Sequence, residues 1–187
     1  MYITMKVKVL RLGHRKKRDL RLTTHVCLTA RALGANEIIL SGEKDDSVLD
    51  SVRDVSKRWG GNFRISYEKN WKKTLKNYEV IHLTMYGEPV QNKIKEIRKS
   101  KKDKLIVVGS EKVPKEIYNL ADYNIAVTNQ PHSEVAALSI FLHELFQGKE
   151  LKNRFKNAEI KIKPKKQGKD VVRKKSLMEK LSFFHKT

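Results

Sequence analysis

The chain has 187 residues and one cysteine, Cys27, which suits one domain with a sizeable core and excludes an intramolecular disulfide and a cysteine-rich zinc site. No stretch approaches about 18 uninterrupted apolar residues and the N-terminus lacks a signal-peptide layout, so we expect a soluble, cytoplasmic protein. Lys and Arg outnumber Asp and Glu by 41 to 21, a net charge of +20, which is typical of proteins that bind polyanions.

The positive charge is concentrated at the two ends of the chain. Residues 1–22 hold eight Lys or Arg against one Asp, and residues 149–187 hold fourteen against four, which gives net charges of +7 and +10. We therefore predict a globular unit, residues 1–148, and a basic extension, residues 149–187, that packs on it and is partly disordered at its end. Nucleic-acid binding is the interpretation we favour, and ends that only maintain solubility are the alternative.

The first half of the chain alternates between predicted strands and helices. Met5, Val7 and Val9 alternate with lysines, as in a half-buried strand, and residues 13–19 follow as a basic loop. Thr23 or Thr24 is then a suitable N-cap for a helix that ends at Gly34. Beyond it we predict a strand at 37–40, a helix opened by 45–47 and ended by 60–61, a strand near 63–67, and a short helix around 71–75.

The second half continues this alternation. We predict strands at 80–84, 105–108 and 123–127, a helix that starts with Pro89 in its first position, a brief helix after 109–114, a further strand at 158–162, and an amphipathic turn or helix at 176–184. Strands that alternate with helices predict a parallel sheet with helices on both faces, and ligands bind such sheets outside the carboxyl ends of the strands.

Residues 133–147 form the most apolar predicted helix. Apolar residues at helical spacing leave little polar face, so this helix packs inside the domain or against another subunit. Ser133 is a good N-cap, Glu134 complements the positive helix start, and Gly148 supplies the stop. The polar loop before it, residues 129–134, therefore lies where unpaired backbone N–H groups point outward, which suits a polar ligand; an ordinary capped connection is the alternative.

Three loops, at 83–88, 109–113 and 127–134, follow predicted strands and open on one edge of the sheet. Neither phosphate-binding glycine motif occurs, which disfavours a nucleoside triphosphate or a classical dinucleotide. His143 and Glu144 begin a zinc-binding helix motif, but Gln147 occupies the second ligand position, so we expect no metal. His132, Ser133 and Glu134 are adjacent and project in different directions, unlike a hydrolase triad.

Several long motifs resemble one protein family. They are LRLGHRKKRDLRLTTHVCLTARALGANEI, VIHLTMYGEPV, LIVVGSEKVP, NQPHSEVAALSIFLHELF and AEIKIKP. Together they resemble the archaeal tRNA cytidine-56 2′-O-ribose methyltransferases, a branch of the SPOUT class. The resemblance implies a SPOUT-type α/β fold in which the last strands and loops form a deep C-terminal trefoil knot, an exception to the usual absence of knots.

The resemblance also implies the cofactor and its site. S-adenosyl-L-methionine is expected to lie among Leu83, Gly109, Ser110, Glu111, Lys112, Val113, Val127, Thr128, Asn129, Gln130, Pro131, His132, Ser133 and Glu134. In related enzymes an N-terminal arginine assists the ribose oxygen together with an RNA phosphate. Counting back from Gly34, the position of the usual catalytic arginine falls near Leu28, so no arginine occupies it here. We therefore favour Arg21, at the helix entrance, as the catalytic arginine, and Arg18 and Arg31 are the next candidates. For each of them, phosphate binding alone is the alternative.

The resulting hypothesis is a methyltransferase that modifies the ribose 2′-oxygen of cytidine 56 in the tRNA T-loop. Its tRNA-binding residues are predicted to include Arg15, Lys16, Lys17, Lys165, Lys166 and Lys169. The helices at 23–33 and 133–147 are candidates for a homodimer interface, and burial within one subunit is the alternative for either. Two other functions stay open, namely a SPOUT methyltransferase with another RNA target and a non-catalytic RNA-binding protein.

Overall fold

The computed structural model describes residues 5–109 and 113–174. Within them a six-stranded sheet has the order β3-β2-β1-β5-β4-β6, and all of its strand pairs are parallel. Its strands are β1 Val7–His14, β2 Glu37–Gly42, β3 Arg64–Tyr67, β4 Glu79–Pro89, β5 Lys104–Gly109 and β6 Tyr123–Ala126. The predicted parallel sheet is therefore confirmed. An antiparallel pair follows, formed by β7 Ile160–Ile162 and β8 Val171–Arg173.

Five α-helices in the described residues connect or follow these strands. They are α1 Lys16–Ala32, α2 Asp46–Trp59, α3 Val90–Lys99, α4 Glu116–Leu120 and α5 Glu134–Phe146, with 3₁₀ turns at Trp71–Leu75 and Lys149–Lys152. Pro89 is the N-cap residue of α3 rather than its first helical residue. The predicted element at 176–184 lies outside the described residues. None of the helices in the described part combines the length and apolarity needed to cross a bilayer.

Helix α1 begins at Lys16, well before the predicted start at Thr23 or Thr24. The carboxylate of Asp19 accepts a hydrogen bond from the backbone N–H of Arg15 at 3.1 Å, which satisfies one donor at the start of the helix. Thr24 lies within the helix, where its hydroxyl donates to the carbonyl of Leu20 at 2.8 Å. The prediction of a basic loop is therefore wrong, and these basic residues occupy the first turns of α1.

The two faces of the sheet carry unequal layers. The helices α1, α2, α3 and α5 pack on one face, around core residues such as Val9, Val26 and Phe141. The short helix α4 and the 3₁₀ turn at Trp71–Leu75 cover the other face, around Leu10, Val107 and their neighbours. Burial of these apolar side chains is the main force that holds the layers together.

The residues after α5 pack against the edge of the sheet where the strands begin. The backbone carbonyl of Lys156 accepts a hydrogen bond from Gly61 at 2.8 Å, and Ala158 and Ile160 are buried. Gly60 has a φ of +75°, and a Cβ on it would lie 2.4 Å from the carbonyl oxygen of Lys156. Glycine at the end of α2 therefore permits both the turn and this close approach.

Candidate functional site

A cavity of about 380 Å³ opens at the carboxyl ends of β4 and β5 and at the start of α5. It is lined by His82, Leu83, Thr84, Met85, Tyr86, Val108, Gly109, Val113, Tyr118, His132, Ser133, Glu134 and Ala137. Residues from all three predicted loops therefore meet in one place. A wider depression of about 480 Å³ between β2, β3 and α2 contains the ion pairs of Glu37 and none of the predicted site residues.

Six predicted cofactor-binding residues line this cavity: Leu83, Gly109, Val113, His132, Ser133 and Glu134. Ser110, Glu111 and Lys112 lie outside the described residues. The remaining five, Val127, Thr128, Asn129, Gln130 and Pro131, belong to the adjoining loop and do not form the cavity wall.

The loop at 84–87 projects from β4 beside the cavity. Leu83 and Glu88 both pair with Ile125 of β6, so the intervening residues leave the sheet and return to the same partner. The side-chain amide of Asn129 donates to the carbonyl oxygens of Met85 at 2.7 Å and Gly87 at 3.3 Å. Asn129 therefore ties two of the predicted loops together.

Hydrogen bonds link two residues of the cavity wall, His82 and Tyr118, through Asn124. The Nδ2 group of Asn124 donates to the carbonyl of Tyr118 at 2.8 Å, so its Oδ1 faces His82 Nδ1 at 2.9 Å and accepts from it. Burial lowers the pKa of His82 although the bond to Asn124 opposes this, which favours the neutral ring. The proton on Nδ1 leaves Nε2 as a hydrogen-bond acceptor.

The start of α5 is capped as the sequence predicts. The Ser133 hydroxyl accepts a hydrogen bond from the Ala136 N–H at 3.1 Å. His132 Nδ1 donates to the Gln130 carbonyl at 2.7 Å, because a carbonyl oxygen only accepts. At the other end of α5, Gln147 and Gly148 both have positive φ angles and end the helix.

A buried arginine reaches the cavity wall from β1. Arg11 is 0% exposed, and its Nε atom lies 2.9 Å from Oε2 of Glu134. These two atoms are in contact without hydrogen-bond alignment. Arg11 Nη2 is buried with no hydrogen-bond partner among the described residues, while Nη1 donates to the Leu12 carbonyl. Burial raises the pKa of Glu134 to about 7, although the charge of Arg11 opposes the shift.

A second buried polar cluster lies beyond the same strand end. His14 contacts the Thr23 hydroxyl through Nδ1 at 2.8 Å and the Asp45 carboxylate through Nε2 at 3.2 Å. Asp45 also accepts bonds from the backbone N–H groups of Ser47 and Val48, and thereby caps α2. Burial raises the pKa of Asp45, but the hydrogen bonds from Ser47 and His14 outweigh it and lower the pKa overall.

The three candidate arginines occupy different parts of α1. Arg21 is exposed and Arg18 lies in the first turns, at the helix end nearest the cavity edge of the sheet. Arg31 is buried at the opposite end, where Nη2 donates to the Gly60 carbonyl at 2.6 Å and the guanidinium stacks on Phe155 at 4.4 Å. A 17-residue helix spans about 25 Å, so Arg31 holds α2 and the extension together and does not contact the cavity.

The predicted RNA-binding residues lie on exposed or partly exposed surfaces. Arg15 contacts the buried carboxylate of Asp19 at 3.2 Å, and Lys16 and Lys17 are exposed beside it. Lys165 pairs with Asp170 at 3.3 Å, and Lys166 and Lys169 are exposed in the loop between β7 and β8. Within residues 5–109 and 113–174, no three His, Cys, Asp or Glu side chains are grouped to hold a metal ion.

Sequence reasoning missed two residues of the site, Arg11 and His82. Arg11 has the same parity along β1 as the core residues Val7 and Val9, and a charged residue at a core-facing strand position is a detectable signal. His82 lies two residues after Val80 on β4 and therefore on the same side of the strand, which is the other face of the sheet. A polar residue at such a core-facing position would have been identified by the same alternation.

Comparison with known proteins identifies relatives of high similarity. Residues 59–172 match the sequence model of a family described as tRNA ribose 2′-O-methyltransferase, aTrm56. The chain is 55% identical over 177 residues to the tRNA (cytidine(56)-2′-O)-methyltransferase of Methanocaldococcus jannaschii, covering 91% of this chain and 98% of that protein. It is 55% identical over 171 residues to the enzyme of the same description from Pyrococcus horikoshii, covering 89% and 84%.

Solved structures with low sequence identity share the fold. The A. aeolicus TrmH/SpoU tRNA modifying enzyme has a TM-score of 0.57 at 17% identity, over 79% of this chain and 77% of that chain. The SpoU methyltransferase AviRb from Streptomyces viridochromogenes, solved in complex with the cofactor AdoMet, has a TM-score of 0.56 at 12% identity, over 78% and 58%. At these identities the similarity concerns the fold alone.

Proposed function

The chain belongs to the tRNA ribose 2′-O-methyltransferase family aTrm56, and we propose on that premise that it methylates the ribose 2′-oxygen of cytidine 56 in tRNA, with S-adenosylmethionine as methyl donor. The observation that carries this proposal is the near full-length identity of 55% to archaeal enzymes of that description. The cavity at the carboxyl ends of the parallel strands is where such a fold binds its ligand. The enzyme works where its tRNA substrate is, in the cytoplasm.

The residues around the cavity suit S-adenosylmethionine. The cofactor carries no phosphate, so it needs no glycine-rich phosphate loop, and the strand-end residues Leu83 and Gly109 line its proposed site. The His82 acceptor suits an N–H donor, and Leu83, Val108 and Val113 supply apolar surface. The bound cofactor would supply an electrophilic methyl group on sulfur.

The first turns of α1 are the surface proposed to meet the RNA near the cavity. Arg18 and Arg21 assist the ribose oxygen and a neighbouring phosphate in this arrangement, and Arg15, Lys16 and Lys17 bind phosphates beside them. Arginine suits this role because it stays charged and donates several hydrogen bonds to phosphate oxygens. We leave Arg31 out of this proposal because its guanidinium is engaged at the far end of the helix.

The basic loop between β7 and β8 is a second tRNA-binding surface. Replacing Lys165, Lys166 and Lys169 with Ala should weaken tRNA binding and lower the slope of log affinity against log salt by about one for each phosphate that is no longer neutralised. The matched control replaces three exposed lysines elsewhere, Lys95, Lys99 and Lys102. Equal effects in both triple variants would mean that the loop contributes only general charge.

The topology of β4 and β6 supports a trefoil knot. Both halves of β4 pair with Ile125 around the loop at 84–87. A Cβ on Gly87 would lie 2.5 Å from backbone atoms of Asn124 and Ile125, so the two segments cross with no room for a side chain. This close crossing of β4 and β6 supports the proposal that the last strands and loops form the knot.

The outer faces of α1 and α5 form the proposed homodimer interface. Leu20 and Ile140 are 47% and 46% exposed on these packed helices, and apolar residues of this kind are typical of an interface core. Ile140→Glu should shift the protein to monomers in sedimentation experiments. Leu120→Glu is the control, because Leu120 is equally exposed, at 46%, on α4.

The decisive experiment is transfer of labelled methyl from S-adenosylmethionine to an unmodified tRNA transcript and to one with 2′-deoxycytidine at position 56. Transfer to the first alone establishes the enzyme and its target atom. Equal transfer to both would indicate a methyltransferase with another RNA site. Tight tRNA binding without transfer would indicate a non-catalytic RNA-binding protein.

A further inference from the structure

Methyl transfer to a ribose hydroxyl leaves a proton that some group must accept. An arginine that assists the oxygen donates hydrogen bonds and stays protonated throughout the accessible pH range, so it does not take this proton. A separate acceptor beside the bound ribose is therefore required. The following inference rests on the proposed function and names that acceptor.

Three residues of the described cavity wall carry a side chain with suitable acceptor chemistry, namely His82, His132 and Glu134. Burial lowers the pKa of His82, which makes it a weak base, and its side chain is only 1% exposed. His132 lies on the exposed loop, where its Nδ1 is bonded to Gln130. Glu134 is the first residue of α5 and contacts a buried cation.

The contact with Arg11 fixes one side of the Glu134 carboxylate. Oε2 is buried against Arg11 Nε at 2.9 Å. The Glu134 side chain as a whole is 17% exposed. Because Oε2 is buried, this exposed surface belongs to the other side-chain atoms, which lie at the cavity wall. One side of the carboxylate is thus held by the protein, and the other side is available to a ligand.

Arg11 has no evident structural reason to occupy this position. A fully buried guanidinium is costly unless it is paired and its donors are satisfied. Within residues 5–109 and 113–174, however, Nη2 has no partner and the contact of Nε with Glu134 is misaligned. A well-packed apolar residue at this core-facing position would serve folding better. Unfavourable burial of charge beside a cavity is typical of catalytic sites.

We propose that Glu134 accepts the proton of the ribose 2′-hydroxyl and that Arg11 is the positioning residue that orients its carboxylate. A bond forms between the 2′-oxygen and the methyl carbon while the bond between that carbon and sulfur breaks. The electron pair of the broken bond remains on sulfur, which becomes a neutral thioether. The hydroxyl proton moves to a carboxylate oxygen of Glu134 and is later released to water.

The charged and titratable groups around Glu134 are compatible with this role. Arg11 on β1 favours its ionised form, whereas Asp19 on α1 disfavours it. Cys27, also on α1, stays a neutral thiol, because burial raises its pKa to about 12. His132 adjoins Glu134 in the chain, and His82, Tyr86 and Tyr118 line the rest of the cavity. The ionised fraction of Glu134 therefore rises with pH through neutrality.

The test compares the wild type with Glu134→Gln, which keeps the shape of the side chain and removes its basicity. We expect kcat to fall about 100-fold, the usual size of a lost general base. The rise of kcat/KM with pH below neutrality should disappear, while the affinities for S-adenosylhomocysteine and tRNA, measured by calorimetry, stay within about twofold, since a proton acceptor acts only as the bond forms.

The matched control is Glu144→Gln on the same helix. Glu144 pairs with Arg98 at 3.0 Å, and Arg98 also donates to the backbone carbonyl of residue 144, so the contact survives the substitution. This variant should retain wild-type kcat and pH dependence.

A readout independent of turnover is the carboxyl ¹³C titration of Glu134, assigned by its absence in Glu134→Gln. The signal should titrate near pH 7 in the wild type. It should move to higher pH in Arg11→Met, because a stabilising positive charge is removed, and return towards the wild-type position in Arg11→Lys. A purely structural role of Arg11 would lower the melting temperature without moving this titration.

Several outcomes would overturn the inference without touching the proposed function. One is an active wild type whose kcat falls less than about fivefold in Glu134→Gln. Another is loss of the pH dependence in His132→Gln but not in Glu134→Gln, and a third is a Glu134 carboxyl that titrates as an ordinary glutamate. Should Glu134→Gln fail to fold, Glu134→Asp must retain the pH dependence at a lower kcat. A wild type inactive on tRNA would instead overturn the proposed function.

Discussion

Two buried polar clusters meet at the end of β1, and they differ in how well their groups are satisfied. His14 is held on both ring nitrogens, by Thr23 and Asp45, and Asp45 in turn caps α2. Arg11, three positions earlier, contacts Glu134 without alignment, and its Nη2 has no hydrogen-bond partner in the part of the chain that the structure describes. The residues of the first cluster do not line the cavity and hold elements together, whereas the second includes Glu134 of the cavity wall. At the end of β1, the cluster that is a candidate for catalysis thus combines incompletely satisfied buried charge with access to the cavity.

The largest expected effect is the loss of methyl transfer when Arg11 and Glu134, which we call the cavity cluster, are both replaced. In the double variant Arg11→Met with Glu134→Gln, we expect methyl transfer to fall by at least about 100-fold, because the proton acceptor is gone. The free energy of unfolding in urea should stay within about 1 kcal/mol of the wild type or increase, since a poorly satisfied buried pair contributes little to stability. A loss of more than about 3 kcal/mol would show that this cluster is structural too.

The satisfied cluster should respond in the opposite way. Asp45→Ala removes the cap of α2 and a partner of His14, so the free energy of unfolding should fall by about 2 to 3 kcal/mol. The methylation rate of the protein that remains folded should be unchanged. The neighbouring Asp46→Ala, which removes a surface pair with Lys44, should cost less than about 1 kcal/mol. Comparable losses in both variants would contradict the role of Asp45.

The two clusters should also give opposite dependences of stability on pH. Glu134 has a folded-state pKa near 7, raised from 4.5, so the folded state binds the proton more tightly and stability falls as pH rises from about 4.5 to 7, by up to about 3 kcal/mol. Asp45 has a lowered pKa, so its contribution is present above about pH 4 and is lost as pH falls below it.

Urea unfolding across pH 3 to 8 measures both effects. Glu134→Gln should remove the decline between about pH 4.5 and 7 and leave the acid loss, whereas Asp45→Asn should reduce the acid loss and leave the decline. A wild-type stability that rises between those pH values would contradict the raised pKa of Glu134.

The smallest expected effect concerns the surface beside the cavity cluster. Arg21→Ala should lower the methylation rate by about tenfold, the cost of one charged hydrogen bond, with the affinity for S-adenosylhomocysteine intact because Arg21 lies on the exposed face of α1. Arg53→Ala, on the exposed face of α2, is the control and should have no effect. A large loss of cofactor affinity in Arg21→Ala would place that arginine in the cavity.

The sheet and most helices follow from the sequence because apolar periodicity reports them directly. Val7 and Val9 alternate with lysines, and Val48 and Val52 share one face of α2, so hydrophobic burial specifies these elements. The start of α1 does not follow from apolar periodicity, because its first buried residues are Asp19 and Thr23. Their polar side chains satisfy the helix start and His14 instead of packing as apolar surface.

The location of the site was predictable, but its internal chemistry was only partly so. Strand-end loops converge at one edge of a parallel sheet by topology, which brings Leu83, Gly109 and Glu134 to one cavity. The partnership of Arg11 with Glu134 joins residues far apart in the chain, and no local pattern reports such a pair. The same holds for Arg31, whose partner Gly60 accepts through its backbone.

The one cysteine of the chain makes the packing of α1 measurable by chemical labelling. Cys27 is buried on α1, and burial raises its pKa to about 12, so the native thiol is both inaccessible and unreactive towards disulfide reagents. Labelling must then wait for α1 to separate from the sheet and α5. Its rate therefore reports the local opening free energy of the elements that hold Arg11 and Glu134, in the unmodified wild-type protein.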